Sequence, residues 1–333
     1  MRRGRIVGAV VILVVLAAWF VTAVHLPLLV ISPGVALPVG ERVEFPTRLE
    51  DELSGRLLLT TVRISQPNAL EALGAWLDDD KDVVGRERVI PEGVNAEEYI
   101  RGQREVFEQS GQLAAAAGLR AAGEQVSVSG AGARVVALSE DAPAAGVLRP
   151  GDVITAADGR PVAVAPELVA AVARRRIGDA LALTVRRDGM IRNLEVTLGG
   201  SEQQPGPALG IAVSTVDFDI ELPFPVNVDA GDIGGPSAGL LIALTVYDLA
   251  DEGDLTDGRV IAGTGTIDGQ GNVGPVGGVE QKIETALNAG AQIFLVPAQE
   301  VEQARAAAEG RLRVIEVATL QGAIAALGGR SPG

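Results

Sequence analysis

The sequence lacks cysteine and has one histidine among its 333 residues, and aromatic residues make up only 3% of it. Without cysteine the chain forms no disulfide bond and offers no thiolate nucleophile. The single histidine, His25, stands inside an apolar N-terminal run. The cores must therefore be built from Val, Leu, Ile and Ala, and a serine nucleophile would need a base other than histidine.

Positive charge is also scarce, because 28 basic residues face 43 acidic ones and the net charge is −15. Such a chain repels phosphates, so we expect no nucleic-acid partner. The 28 basic residues include only two lysines, Lys81 and Lys282. Lys81 lies in the acidic run 78–82, which lacks the glycine and glutamate of an EF-hand loop, so we expect no metal site there. Lys282 is of more interest, because a buried lysine can lose its proton near neutral pH and an arginine cannot.

Three arginines precede an apolar run over residues 6–31, which is longer than the roughly 20 residues that cross a bilayer. We expect a transmembrane anchor, with the tip 1–5 in the cytoplasm and the remaining chain outside the cytoplasmic membrane. A cleaved signal peptide, with a cleavage site at residues 21–23, is the alternative.

The rest of the chain predicts an α+β multidomain fold with a polar linker. In the first part we expect a strand over 57–64 and a helix over 96–122 that is interrupted near Ser110 and Gly111. The expected division is a small mixed module at 32–122, a β-rich domain at 123–200, the linker at 201–207, an α+β domain at 208–328 and a tail at 329–333.

The stretch 231–239, with the sequence GDIGGPSAG, carries the clearest candidate for chemistry. Pro236 fits the first turn of a helix, which would place Ser237 among backbone N–H groups that lack intrahelical partners. Such a turn can hold a nucleophile and bind an oxyanion. The pentad 235–239 also matches the G-x-S-x-G elbow of α/β-hydrolases, but no histidine follows it, and we interpret the match as accidental.

Lys282 falls on a predicted helix, on the flank of an apolar stripe that includes Val279 and Ile283. Desolvation there would disfavour the ammonium form, although a solvated surface lysine is an equally open interpretation. The run 269–274 spells G-x-G-x-x-G without a helix after it, which favours a hairpin turn over a dinucleotide site. No Walker sequence occurs in the chain, and we expect no nucleotide and no cofactor.

These motifs together resemble the proteolytic domain of the Lon family, a Ser–Lys dyad peptidase, over residues 208–327. The resemblance implies that Ser237 is the nucleophile, that Lys282 is its general base and that Thr264 hydrogen-bonds the lysine. Many members have an acidic residue three positions before the serine, where this chain has Gly234. The supporting residues are then Thr264, Gly235, Pro236 and Asp232.

The order of strands, glycine-rich turns and a helix over 166–176 is similar to a bacterial PDZ domain. That resemblance implies a groove between a strand and the helix, where a peptide adds to the sheet edge. The usual Gly-Leu-Gly-Phe signature is absent, and a small β-rich spacer domain is the alternative. The implied carboxylate-binding loop comprises Gly130, Ala131, Gly132 and Ala133.

The order of anchor, PDZ-like domain and Lon-like domain resembles the membrane-bound PDZ-containing Lon-like proteases. This implies an ATP-independent serine endopeptidase that acts on accessible polypeptides, with the PDZ-like domain recruiting substrate or gating the site. It also implies a homo-oligomeric ring. The rival interpretation is a catalytically inactive membrane scaffold whose PDZ-like domain binds polypeptide termini.

Overall fold

The structure is a computed structural model that describes residues 19, 24–46, 54–78, 80–90, 95–138, 141–200, 206–251 and 253–329. The helices within these ranges are α1 (Ala69–Trp76), α2 (Ala96–Ala121), α3 (Ala165–Ala173), α4 (Gly239–Ala250), α5 (Val279–Asn288), α6 (Val301–Ala308) and α7 (Leu320–Leu327), with short 3-10 turns at 40–42, 86–88 and 298–300. The strands are β1 (Leu28–Pro38), β2 (Val43–Glu44), β3 (Arg56–Ser65), β4 (Asp82–Gly85), β5 (Ser127–Ser129), β6 (Ala133–Leu138), β7 (Val153–Ala157), β8 (Arg160–Pro161), β9 (Ala180–Arg187), β10 (Met190–Thr197), β11 (Gly199–Gly200), β12 (Pro207–Ala208), β13 (Ile211–Thr215), β14 (Asp219–Glu221), β15 (Asn227–Val228), β16 (Val260–Gly263), β17 (Thr266–Ile267), β18 (Val273–Gly274), β19 (Ile293–Pro297) and β20 (Arg313–Val317).

A mixed sheet with the strand order β20-β19-β16-β3-β1-β4 forms the centre of the larger domain. The four strands from β20 to β3 are parallel to their neighbours, whereas β1 and β4 are antiparallel. Successive residues of a strand face opposite sides of a sheet. Accordingly Leu57 and Leu59 enter one buried cluster with α2, α4 and α7, while Leu58 enters a second cluster with α5 and α6.

The N-terminal part of the chain is an integral part of this domain. Strand β3 pairs in parallel with β16, so that Leu57 lies beside Ile261 and Leu59 beside Gly263. Helix α2 packs along α4, and its residues Phe107 and Leu119 are buried in the same cluster as Leu59. The structure thus differs from the expected separate module at 32–122. The pairing joins residues about 200 positions apart in the sequence, and no local pattern could show it.

Helix α2 runs without the interruption expected near Ser110 and Gly111. Both residues are buried, and a Cβ atom on Gly111 would lie 3.2 Å from the side chain of Val228. The Ser110 hydroxyl donates to the carbonyl oxygen of Pro236 at 3.3 Å. The two small residues therefore bring α2 close to neighbouring segments and do not break it.

A second sheet, in the order β10-β9-β7-β6-β13 with β8 on β7, encloses its own apolar cluster with α3. The β9–β10 hairpin turns at Asp188 and Gly189, both with positive φ, as the Asp-Gly pair predicts. Strand β13 belongs to this sheet, although residues 208–328 were expected to form the last domain. The second domain is thus inserted between α2 and α4 of the larger one.

The expected membrane anchor at 6–31 lies largely outside the described residues. Its last four positions were assigned wrongly, because 28–31 begin β1 and pair with β3 and β4. Leu29 and Val30 are buried in the protein, which accounts for their apolar character. Among the helices of the described ranges, none is both long and apolar enough to cross a membrane.

Candidate active site

Ser237 lies in a turn that ends just before α4. Its carbonyl oxygen accepts the Gly265 N–H at 2.8 Å and the Thr264 hydroxyl at 3.1 Å. This oxygen bonds to the segment after β16 and therefore accepts no hydrogen bond from within the helix. Helix α4 accordingly begins at Gly239. The expectation that Pro236 and Ser237 occupy the first turn of the helix is therefore wrong by about one turn.

Two hydrogen bonds to helix α2 hold the Ser237 turn in place. The N–H of Gly235 donates to the carbonyl oxygen of Gln103 at 2.8 Å, and the Ser110 hydroxyl reaches Pro236. Gly235 has a φ of 84°, in the left-handed region where a side chain is strained. A glycine at this position thus lets the chain reverse direction directly before the serine.

Lys282 stands on the first turn of α5, and its backbone N–H donates to the Gly278 carbonyl oxygen at 3.1 Å. Only 3% of the lysine is exposed. Its Nζ donates to Thr264 Oγ1 at 2.9 Å, and the Thr264 hydroxyl in turn donates a hydrogen bond to the Ser237 carbonyl oxygen. Thr264 thereby links the two candidate catalytic residues, and the hydrogen bond fixes the direction of the amine.

Burial lowers the pKa of Lys282 from 10.5 to about 7, because the ammonium ion loses its hydration. The charge of Glu300 opposes this shift. An exposed lysine with a pKa near 10.5 would be neutral in about one molecule in three thousand at pH 7. The lowered pKa brings the neutral amine within reach near pH 7, and because only 3% of the residue is exposed, a solvated surface lysine does not fit the structure.

Glu300 is a buried carboxyl group that the sequence analysis missed. It has no exposed surface, and neither oxygen accepts a hydrogen bond of ordinary geometry from the described residues. Burial raises its pKa to about 7, against the opposing influence of the Val276 amide and of Lys282. Both Lys282 and Glu300 adjoin the apolar cluster that contains Val279 and Val301. A glutamate between a strand and a helix carries no pattern that marks it as buried.

Ser237 and Lys282 both line a cavity of about 1260 Å³. Its walls come from β1 and β3, from the segment 82–90, from the start of α2 and from the loop 229–238. Its lining includes both apolar side chains, such as Val35, Ile64 and Ile100, and several arginines. The N-terminal strands thus contribute to the site itself, and the cavity is large enough for several residues of an extended peptide.

Two backbone amides at the turn remain available to a ligand. The Gly235 N–H is already bonded to Gln103 and is not available, and Pro236 has no N–H. The N–H groups of Ser237 and Ala238 donate to no other residue in the described ranges. These two are consequently the candidates for binding an oxyanion next to the serine.

Asp232 lies at the rim of the same cavity, where it meets Arg104 at 3.5 Å. Its carboxylate is fully exposed, and among the described residues it forms an ion pair with Arg104 and none with Lys282. Asp232 is therefore placed to contact a bound molecule at the entrance, apart from the Ser237–Thr264–Lys282 chain. Within the described residues, no group of three or more His, Asp or Glu side chains could hold a metal ion.

The expected peptide-binding loop of the second domain is occupied by the chain itself. The N–H of Ala131 donates to Val216 at 2.7 Å, and the N–H of Gly132 donates to Ala163 at 3.0 Å. A Cβ atom on Gly130 would lie 2.4 Å from the Ala163 carbonyl oxygen. Ala133 begins β6, which pairs with β7 on one side and with β13 on the other.

Strand β13 fills the place of a peptide ligand in this groove. It runs antiparallel to β6, with Thr215 opposite Ala133, and the Thr215 hydroxyl accepts the Ala165 N–H at the start of α3. The loop amides that would bind a terminal carboxylate instead bind the carbonyl oxygens of the protein. The sequence could not show this, because nothing distinguishes β13 from a strand of the following domain.

Comparison with known proteins identifies two parts of the chain. Residues 121–198 match the PDZ domain, and residues 208–327 match the Lon protease (S16) C-terminal proteolytic domain. The PDZ domain of the SdrC-like protein from Listeria monocytogenes is 25% identical over 25% of this chain and 87% of that one, with a TM-score of 0.24.

Curated relatives are Lon proteases. The archaeal Lon protease of Archaeoglobus fulgidus is 38% identical over 33% of this chain and 17% of its own length. The Lon protease of Phenylobacterium zucineum is 31% identical over 47% of this chain and 20% of its own length, and that of Rickettsia felis is 35% identical over 26% and 10%. This chain thus spans a fifth or less of these relatives, and it combines a PDZ domain with a Lon-type proteolytic domain.

Proposed function

We propose that the chain is a membrane-anchored serine endopeptidase in which Ser237 is the nucleophile and Lys282 the general base. The observation that carries the proposal is the buried amine of Lys282, held by Thr264 beside the turn of Ser237 and open to a peptide-sized cavity. The match to the Lon-type proteolytic domain supports the same reaction class. The substrates would be accessible polypeptides, cleaved without ATP, as the resemblance to the membrane-bound PDZ-containing Lon-like proteases implies.

The neutral Lys282 amine would take the Ser237 hydroxyl proton as Oγ bonds to the scissile carbonyl carbon. The amide N–H groups of Ser237 and Ala238 would bind the oxyanion that forms. The Lys282 ammonium would then protonate the leaving amine as the C–N bond breaks. Water would hydrolyse the acyl group on Ser237, with Lys282 again accepting a proton. Assembly into a ring, which the resemblance implies, stays a prediction.

The scaffold interpretation leads to a different expectation for the serine. A fluorophosphonate or peptidyl-boronate would label Ser237 in an active peptidase, because the base activates its hydroxyl. An inactive scaffold would give no label at this residue, although its PDZ domain would still fold. The buried, partly neutral Lys282 favours the peptidase, since a scaffold has no need for a desolvated amine.

Substitutions at the two residues test the dyad. We expect Ser237→Ala and Lys282→Met to lower peptide turnover by at least about a hundredfold, the lower range of what a positioned base contributes. Lys282→Arg should be inactive too, because its guanidinium stays protonated, but its size in a buried site should also lower thermal stability. Thr264→Val should reduce turnover less, since it removes the hydrogen bonds to the Lys282 amine and to the Ser237 carbonyl oxygen but keeps both catalytic side chains.

Lys81→Arg is the matched control for these variants, because Lys81 is partly exposed and pairs with Asp78 at 2.7 Å. It should retain wild-type turnover. Kinetics with a fluorogenic peptide, together with melting curves for each variant, provide the measurement. Substantial turnover by folded Lys282→Met would exclude Lys282 as the base.

The pair of Lys282 and Glu300 predicts a specific pH dependence. An ionised Glu300 raises the pKa of Lys282, so Glu300→Gln should lower that pKa and extend activity to lower pH. We expect the acidic limb of the kcat/KM profile to move downward. Glu284→Gln is the control. Glu284 lies on α5, as Lys282 does, but it forms an ion pair with Arg311 at 3.2 Å. An unchanged limb, or a shift to higher pH, would contradict the coupling.

Thermal stability gives a second measurement of Glu300. Its pKa is raised from 4.5 to about 7 in the folded protein. The buried carboxyl group is stable in its neutral form, so its contribution to the free energy of unfolding is complete below pH 4.5. That contribution is lost as the pH rises through 7, where the group ionises. The wild-type melting temperature should fall across this window relative to that of Glu300→Gln, which lacks the titrating group.

For the PDZ domain we propose gating, with β13 as the closed state of the groove. A fluorescent peptide with a free C-terminal carboxylate should not bind the wild type measurably, because β13 already pairs with β6. Val213→Pro should weaken that pairing and allow binding. An amidated peptide and a melting curve control for charge and folding. Equal binding by both proteins would show that β13 does not close the groove.

The membrane topology can be tested through the absence of native cysteine. We propose that the apolar run up to about Val24 anchors the chain with its N-terminus in the cytoplasm. A membrane-impermeant maleimide should label Ile191→Cys in intact, wall-stripped cells, because position 191 is exposed. It should label Gly4→Cys only after lysis. Labelling of Gly4→Cys alone in intact cells would reverse the topology.

A further inference from the structure

Helix α1 presents its large apolar side chains to the outside and its small ones to the protein. Its inner face consists of Ala72 and Ala75, which are buried. This is the reverse of a water-facing surface helix, where the large apolar residues form the inner stripe. The exposed fractions are 59% for Leu70, 55% for Leu73, 74% for Trp76 and 71% for Leu77. A contiguous patch of this kind marks an interaction surface.

Helix α1 is fixed next to the place where the N-terminal apolar run meets the folded domain. His25 forms a bridge with Asn68, the N-cap residue of α1. The N–H of Leu26 donates to Pro67 at 2.9 Å, and Gln66 donates to the Leu26 carbonyl oxygen at 3.0 Å. The described end of the apolar run therefore lies beside the N-terminus of α1.

The positions of the two tryptophans are consistent with a lipid medium next to α1. The chain has two, Trp19 and Trp76, and they are 65% and 74% exposed. One belongs to the apolar run and the other to the outer face of α1. Tryptophan is enriched where a membrane meets water, because its ring is apolar and its N–H is polar. Both tryptophans thus lie where an interfacial position is expected.

We propose that the outer face of α1 lies in the interfacial layer of the lipid bilayer and holds the catalytic domain against the membrane. The proposal rests on the membrane anchor of the proposed function. Eight residues give a helix about 12 Å long, and such a helix parallel to the surface would enter the bilayer by about 5–10 Å. A single span leaves a domain free to tilt, and this second contact restricts that motion.

The charges around α1 specify the lipid. Glu71 and Asp80 are exposed near its two ends, and Asp78 is paired with Lys81. Basic amphipathic helices bind anionic lipids through lysine and arginine, whereas this helix has none. Its contact should therefore depend on apolar burial, and zwitterionic phosphatidylcholine should be sufficient.

The two tryptophans also provide the experiment. In the full chain reconstituted into phosphatidylcholine vesicles, Trp19→Phe leaves Trp76 as the single tryptophan, and Trp76→Phe leaves Trp19. We expect lipids brominated near the headgroup to quench Trp76 several-fold, while aqueous iodide quenches it weakly. Adding Leu73→Glu to Trp19→Phe should abolish the bromolipid quenching while the protein stays with the vesicles.

A third reporter serves as the matched control. Ile191→Trp, in a chain without Trp19 and Trp76, places a tryptophan at an exposed position of the PDZ domain. This reporter should respond to iodide and not to bromolipid. If Trp76 behaves in the same way while Trp19 is quenched by bromolipid, the anchor is correct and the proposal for α1 is wrong.

The remaining outcomes are equally decisive. Protection of Trp76 from both quenchers means that a second copy of the chain, or its own N-terminal segment, covers α1, and this also overturns the proposal. Failure of bromolipid to quench either tryptophan removes the membrane anchor itself, together with the contact that rests on it.

Discussion

The burial of the Lys282 amine is the constraint on which the candidate site depends. Lowering its pKa from 10.5 to about 7 corresponds to about 5 kcal/mol of lost ammonium stabilisation. The unfolded chain binds this proton more tightly than the folded protein does, so the free energy of unfolding decreases as the pH falls from 10.5 towards 7. The packing of α5 against the central sheet must therefore offset it. An ionised Glu300 makes the pKa of Lys282 fall less, because its negative charge favours the ammonium ion. Its own burial limits this influence, because burial favours the neutral acid.

Four segments that are distant in the sequence build the site around this amine. The turn of Ser237 rests on α2 through Gln103 and Ser110, and it is tied to the end of β16 through Thr264. Strands β1 and β3 form one wall of the cavity. The matched proteolytic region begins at residue 208, so part of its core and of its cavity comes from residues that precede the PDZ domain.

The sequence singled out three residues that stand in local motifs, and their catalytic roles stay predictions. Ser237, Thr264 and Lys282 stand in short glycine-rich motifs, and the structure brings Thr264 into contact with both of the others. It could not predict Glu300, because burial of a single carboxyl group depends on packing between distant elements. The sheet was missed for a related reason, since β3 pairs with β16 across an inserted domain. The start of α4 was misplaced because the Ser237 carbonyl oxygen bonds to Gly265 and not to the helix.

The insertion would give the PDZ domain a physical route to the active site. In the proposed gating, strand β13 pairs with β6 in the closed state and would yield its place to a peptide in the open state, and such a two-state element is what coupling between sites requires. Strand β14 follows it and pairs with β5 directly after α2. A displaced β13 would thus pull on the segment that leads into the Ser237 turn, and on the connection to the helix that supports it. A peptide in the groove would act on the turn through these two strands, without touching the cavity.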